Sequence, residues 1–119
     1  MLNLLLIDDD PNQHKILSCF LRKKYGADAD FTSALDLDEA LAHLAGQSFD
    51  VIFLDNRLPP YSDFTETIGG IVDISPDSDI YLISADRDKV SLNLCKSHGI
   101  VEMIDKFELR EAVSEGLLG

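Results

Sequence analysis

Three consecutive carboxylates, Asp8, Asp9 and Asp10, follow directly on the apolar run Leu4–Ile7. Like charges crowded at the end of a buried segment repel and lose hydration, so either they fan into water or a cation sits among them. Other apolar runs end on polar residues as well. Val51–Leu54 is followed by Asp55, Ile80–Ile83 by Ser84, and Ile100–Ile104 by Asp105 and then Lys106. Carboxylates are hard oxygen donors of the kind a Mg²⁺ site requires. A serine hydroxyl and a lysine ammonium can hold phosphoryl oxygens. With a divalent cation offsetting the repulsion, one aspartate is left as a nucleophile. The set makes chemical sense only if the chain brings these run ends together.

The elements between the runs suggest that it does. Short apolar runs without polar alternation suit parallel strands covered on both faces. Four are clear, and a weaker one, Ala27–Thr32, lies between the first two. The intervening segments carry helical stripes with identifiable ends. Asp10 caps a first helix with Pro11 in its first turn, Ile16, Leu17, Phe20 and Leu21 face inward, and Gly26 stops it. Asp36 and Glu39 form a capping box for a second, with Leu37, Ala40, Leu41 and Leu44 inward and Gly46 at its end. Asp63 and Glu66 repeat the box before Phe64, Ile68, Ile71 and Val72. A fourth helix is expected from about Asp88 to Ser97, ending at His98-Gly99. A fifth follows Lys106, with Leu109, Ala112, Val113 and Leu117 in phase.

Five alternations of strand and helix in 119 residues predict one domain, 1–119, an α/β flavodoxin-like doubly wound parallel sheet of order 2-1-3-4-5. Such sheets bind ligands beyond the carboxyl ends of their strands where the strand order reverses. That point lies between the first and third strands, which would bring Asp8, Asp9 and Asp55 into one crevice. A net charge of −12 argues against a nucleic-acid partner. No run reaches membrane-spanning length and no signal peptide is visible, so a cytoplasmic location is expected. Cys19 and Cys95 read as buried thiols rather than a disulfide. His14 and His43 read as solvated, and His98 as a helix-end contact.

With these residues in place, the chain resembles the receiver domain of bacterial two-component response regulators along nearly its whole length. The family's acidic pair matches Asp8 and Asp9, and its phospho-accepting aspartate matches Asp55 in "VIFLDNRLP". Its hydroxyl residue followed by alanine matches Ser84-Ala85, and its lysine matches Lys106. The resemblance implies a Mg²⁺ site made by Asp9, Asp55 and the backbone carbonyl of Arg57, with Asp8 acting through water. It implies a histidine kinase or phosphotransfer protein as phosphoryl donor to Asp55, with Ser84 and Lys106 holding the remaining oxygens and the aspartyl phosphate partly hydrolysed by the domain itself. With no effector domain in the sequence, output is expected to be a protein contact, on the fourth helix, last strand and fifth helix, with Leu92 exposed.

The chain departs from the resembled pattern in the loop after Asp55, which reads "PPYSDF" where the family usually carries a Met-Asp-Gly-like segment, and at two further positions. Phe107 stands where a proline usually follows the lysine, and a trans bond is expected there because a cis bond without proline costs about 3 kcal/mol. Met103 stands at the aromatic switch position. Two rival readings follow. One is a receiver-fold binding module that is not phosphorylated. The other is a small phosphatase of another α/β class, opposed by Arg57 where such enzymes place a second aspartate.

Overall fold

In the computed structural model the described residues are 2–85 and 92–118, Leu92 by its backbone alone. Five strands form one parallel sheet: β1 (Leu2–Ile7), β2 (Ala29–Ala34), β3 (Val51–Asp55), β4 (Asp79–Ser84) and β5 (Ile100–Asp105), in the order β2-β1-β3-β4-β5. Five helices connect and follow them: α1 (Pro11–Tyr25), α2 (Leu37–Gly46), α3 (Ile68–Ile74), α4 (Leu92–Ser97) and α5 (Leu109–Ser114). This is the order the sequence predicts.

The core divides by strand parity, because successive strand residues face opposite sides. Leu5, Ile7, Ile52, Leu54, Ile80 and Leu82 pack against Ala40, Leu44, Ile68, Ile71 and Cys95 of α2, α3 and α4. Leu4, Leu6, Val51, Phe53, Tyr81 and Ile83 pack against Leu17, Leu21, Leu109 and Val113 of α1 and α5. Both faces are covered, so the three inner strands have no polar alternation.

Several local expectations need correction. The second strand lies two residues later than the expected Ala27–Thr32, because Gly26, at φ 59°, opens a 3-10 turn over Gly26–Asp28. Ile16 is exposed rather than part of the α1 stripe; the buried α1 residues are His14, Leu17 and Leu21. Asp63 caps a separate 3-10 turn, Phe64–Glu66, and α3 begins only at Ile68. The Glu66 carboxylate reaches back past the cap and accepts the Ser62 N–H at 2.6 Å, not the Asp63 N–H of a true capping box. Gly46 is the last residue of α2, and Gln47 caps it. Cys19 is exposed; Cys95 is buried, and both thiols are free.

A bulge in β5 carries a functional consequence. Ile80 pairs with Ile100, but Tyr81 pairs with Glu102, so one extra residue is inserted. The insertion lets Ile100 and Met103, three apart, face the same side, and both join the α2–α4 core. Asp86 and the first part of the expected fourth helix, together with the side chain of Leu92, lie outside the described residues.

Candidate phosphoacceptor site

All the chemistry-bearing residues sit at the carboxyl edge of the sheet. Asp8 follows β1, Asp55 ends β3, Ser84 ends β4, and Lys106 follows β5. Each is held there by local structure. The Asp8 N–H donates to the Ala34 carbonyl at 3.1 Å, extending the β1–β2 ladder by one residue. Asp10 serves as the N-cap, accepting the Asn12 N–H at 3.0 Å, while its own N–H donates to Asp8 Oδ1 at 2.9 Å. Asp105 accepts the Phe107 N–H at 2.9 Å, which turns the chain sharply after β5 and aims Lys106 back over the sheet edge.

The three carboxylates expected to meet do meet. Asp8, Asp9 and Asp55 each offer an oxygen within 4.8 Å of the others. Asp8 is fully buried, Asp55 is 5% exposed, and Asp9 faces solvent. Lys106 Nζ lies 2.9 Å from Asp8 Oδ2 and 3.5 Å from Asp55 Oδ2. A cavity of about 250 Å³ opens beside the group, lined by Asp9, Asp55, Asn56, Arg57, Ser84, Ala85 and Lys106. The Arg57 N–H donates to Asp55 Oδ1 at 3.4 Å. Ser84 is buried at the cavity wall. The Lys106–Phe107 bond is trans, as expected.

The electrostatics are those of a crowded acid. Burial, and then the neighbouring Asp8 carboxylate, push Asp55 from 3.8 up to about 7, against the opposing pull of Lys106 and the Arg57 N–H. Burial also disfavours the charged form of Lys106, but Asp8 and Asp55 outweigh it and hold the ammonium above its ordinary value. Three carboxylates against one ammonium leave a charge of −2 when all are ionised. The buried Asp8 Oδ2 lies near Lys106 but receives no hydrogen bond in good line. A hard divalent cation fits this donor set, because it would match the charge of the clustered carboxylates.

Two residues of the site escape a sequence reading. Asn56 donates its N–H to the Ile83 carbonyl at 2.9 Å and accepts the Phe64 N–H on its Oδ1 at 3.2 Å, tying down the loop after Asp55. His14, expected in solvent, is buried, with Nε2 2.7 Å from the Asp8 carbonyl oxygen. The signal for it was its helical spacing with Leu17 and Leu21, which are three and seven residues on. His98 behaves as expected, its Nδ1 lying 2.9 Å from the Leu94 carbonyl.

The acidic trio, the hydroxyl and the lysine thus converge at the switch point of a doubly wound sheet. Residues 4–115 match the family model described as the response regulator receiver domain, and the chain belongs to that family. Its members are phosphoacceptors rather than classical enzymes. No curated protein matches the chain. Among solved structures, a two-component response regulator from Clostridium difficile is 21% identical, with a TM-score of 0.81 over 99% of this chain and 96% of that one. A response regulator from Thermotoga maritima, in complex with Mg²⁺ and BeF, is 25% identical, with a TM-score of 0.72 over 97% and 98%. A response regulator from Burkholderia pseudomallei, with a phosphorylated aspartic acid, a calcium ion and citrate, is 21% identical with a TM-score of 0.75. The alignment covers 98% of this chain and 66% of that one. No helix among the described residues is long and apolar enough to cross a membrane.

Proposed function

We propose that the chain is a receiver that accepts a phosphoryl group on Asp55 from a histidine kinase or phosphotransfer protein and signals by protein contact. The observation that carries the proposal is the convergence of Asp8, Asp9 and Asp55 within 4.8 Å, with Lys106 spanning two of them. Mg²⁺ would be held by Asp9, Asp55 and the Arg57 carbonyl, with Asp8 acting through water, and would supply positive charge against the incoming phosphoryl oxygens.

The rest is done by the chain's own groups. Asp55 must be ionised to attack, and its raised pKa makes that a condition the site has to meet. The Lys106 ammonium favours the ionised form and stands ready to move from Asp8 and Asp55 onto a phosphoryl oxygen. Ser84 lies across the cavity to hold a second one. In the transfer an Asp55 oxygen forms the new O–P bond in line as the N–P bond of the donor's phosphohistidine breaks. The electron pair stays on the imidazole, which takes a proton from water. Water later attacks phosphorus, releases inorganic phosphate and restores the carboxylate. The donor's approach lies beside the cavity, where Phe107 is 77% exposed and Ile16 of α1 lies next to it.

The test is incubation with acetyl phosphate and MgCl₂, followed by intact mass. A single phosphoryl adduct, lost when EDTA is present, supports the receiver. An unmodified mass after prolonged incubation supports a binding module instead, and rapid release of phosphate from many substrates supports a phosphatase.

A further inference from the structure

We propose that His14 is a positioning residue for the acidic site: it fixes the peptide plane that aims Asp9 at the cation. The inference rests on the reading of Asp8, Asp9 and Asp55 as a Mg²⁺ site.

A carbonyl oxygen can only accept, so the 2.7 Å contact with Asp8 requires His14 Nε2 to carry a proton. In the neutral ring Nδ1 then holds the lone pair, and it is buried with no hydrogen-bond partner. An orphaned buried acceptor costs stability, and an apolar residue would fill the same space without that cost. Packing alone therefore does not account for a histidine here. What the ring supplies is one N–H, directed at one carbonyl. Its orientation is fixed from the other side by Phe31 of β2, edge-on with centroids 6.3 Å apart.

The carbonyl it holds belongs to the peptide unit joining Asp8 to Asp9. Asp8 is already secured at its N–H by Ala34 and at its carboxylate by Asp10 and Lys106. The Asp9 side chain has no such anchor among the described residues. It is exposed, and among the described residues its carboxylate accepts no hydrogen bond. The peptide unit after Asp9 is held by the Asp10 N–H on Asp8 Oδ1 and the one before it by His14, so the plane that His14 holds is one of the two that set the direction in which Asp9 leaves the backbone. Groups that orient metal ligands from behind typically change metal affinity 10- to 100-fold when removed.

The experiment compares His14→Phe and His14→Gln with the unmodified chain. Each is titrated with MgCl₂ and followed by backbone amide NMR, and each is melted without metal. Phenylalanine keeps the ring and removes both nitrogens, so the lost hydrogen bond and the lost orphan oppose each other. Its melting temperature should stay close to that of the original, while Mg²⁺ affinity falls about tenfold or more. Glutamine can place its amide nitrogen where Nε2 stood and should restore most of the affinity. Leu17→Ala, a cavity in the same buried face of α1, should lower the melting temperature and leave Mg²⁺ affinity within about twofold. Should His14→Phe not fold, His14→Asn replaces it: its amide stops short of the carbonyl, so it must bind Mg²⁺ more weakly than His14→Gln. Equal affinity in the histidine variants and the original overturns the inference, as does an equal loss in Leu17→Ala. An original chain that shows no Mg²⁺ response overturns the metal-site reading itself.

Discussion

Replacing Asp55 by asparagine should stabilise the metal-free protein, and by an amount that grows with pH. The side chain is buried beside Asp8, and its carboxyl is pushed from 3.8 to about 7. A group whose pKa is higher in the folded state binds more protons there than in the unfolded chain. Its favourable contribution is complete below about 3.8 and is lost as pH rises through about 7. Across that interval the ionised carboxylate costs the fold about 2 kcal/mol at pH 5 and about 4 kcal/mol at pH 8. Asparagine keeps the shape and never ionises, so the gap between variant and original should widen by about 2–3 kcal/mol from pH 5 to pH 8. Lys106 keeps Asp8 as a partner in the variant, at 2.9 Å, so no buried cation is stranded. Urea unfolding in EDTA, followed by circular dichroism at pH 5, 6, 7 and 8, measures the gap directly. Carboxylates remote from Asp55 are common to both proteins and cancel. A gap that does not change with pH, or a variant less stable than the original at pH 8, would refute the crowded-carboxylate account. Saturating Mg²⁺ should narrow the gap at pH 8, because it stabilises the original preferentially.

Further outcomes follow from the same geometry. Lys106→Gln leaves Asp8 and Asp55 without their cation, so the metal-free protein should lose about 3 kcal/mol at neutral pH by urea unfolding. MgCl₂ should recover much of that loss. Met103 is already buried in the α2–α4 core through the β5 bulge, and a methionine fills space through many rotamers rather than two discrete states. Amide shifts between Mg²⁺ alone and Mg²⁺ with beryllofluoride should therefore concentrate in the chain following Ser84, with little around Met103. Large shifts centred on Met103 and abolished by Met103→Ala would show that it switches as an aromatic does.

The site was legible because its residues sit where uninterrupted apolar runs stop. Such runs mean a parallel sheet buried on both faces, and in that architecture the ends of the inner strands converge. Asp8, Asp55, Ser84 and Lys106 could therefore be placed without any knowledge of their contacts. The boundaries were less legible where two local signals competed. Gly26 ends α1 but also starts a 3-10 turn, which displaces β2 by two residues. Asp63 caps a turn that is not yet the helix, because α3 starts only at Ile68. The β5 bulge has no marker in the run Ile100–Ile104, yet it decides which face Met103 occupies. Ile16 and Cys19, which read as buried from the sequence, are exposed. His14 was hidden by its type. A histidine on a helix reads as solvated, and only its spacing with Leu17 and Leu21 and the nearby Asp8 carbonyl give it a role.

The most direct test of the account is the site of the covalent bond. The chain is treated with acetyl phosphate and MgCl₂, reduced with borohydride, which converts an aspartyl phosphate to homoserine, and mapped by peptide mass spectrometry. The account predicts homoserine at position 55 alone, dependent on the metal and absent from Asp55→Asn. Homoserine at Asp8 or Asp9, or an unmodified Asp55 after prolonged treatment, would contradict it.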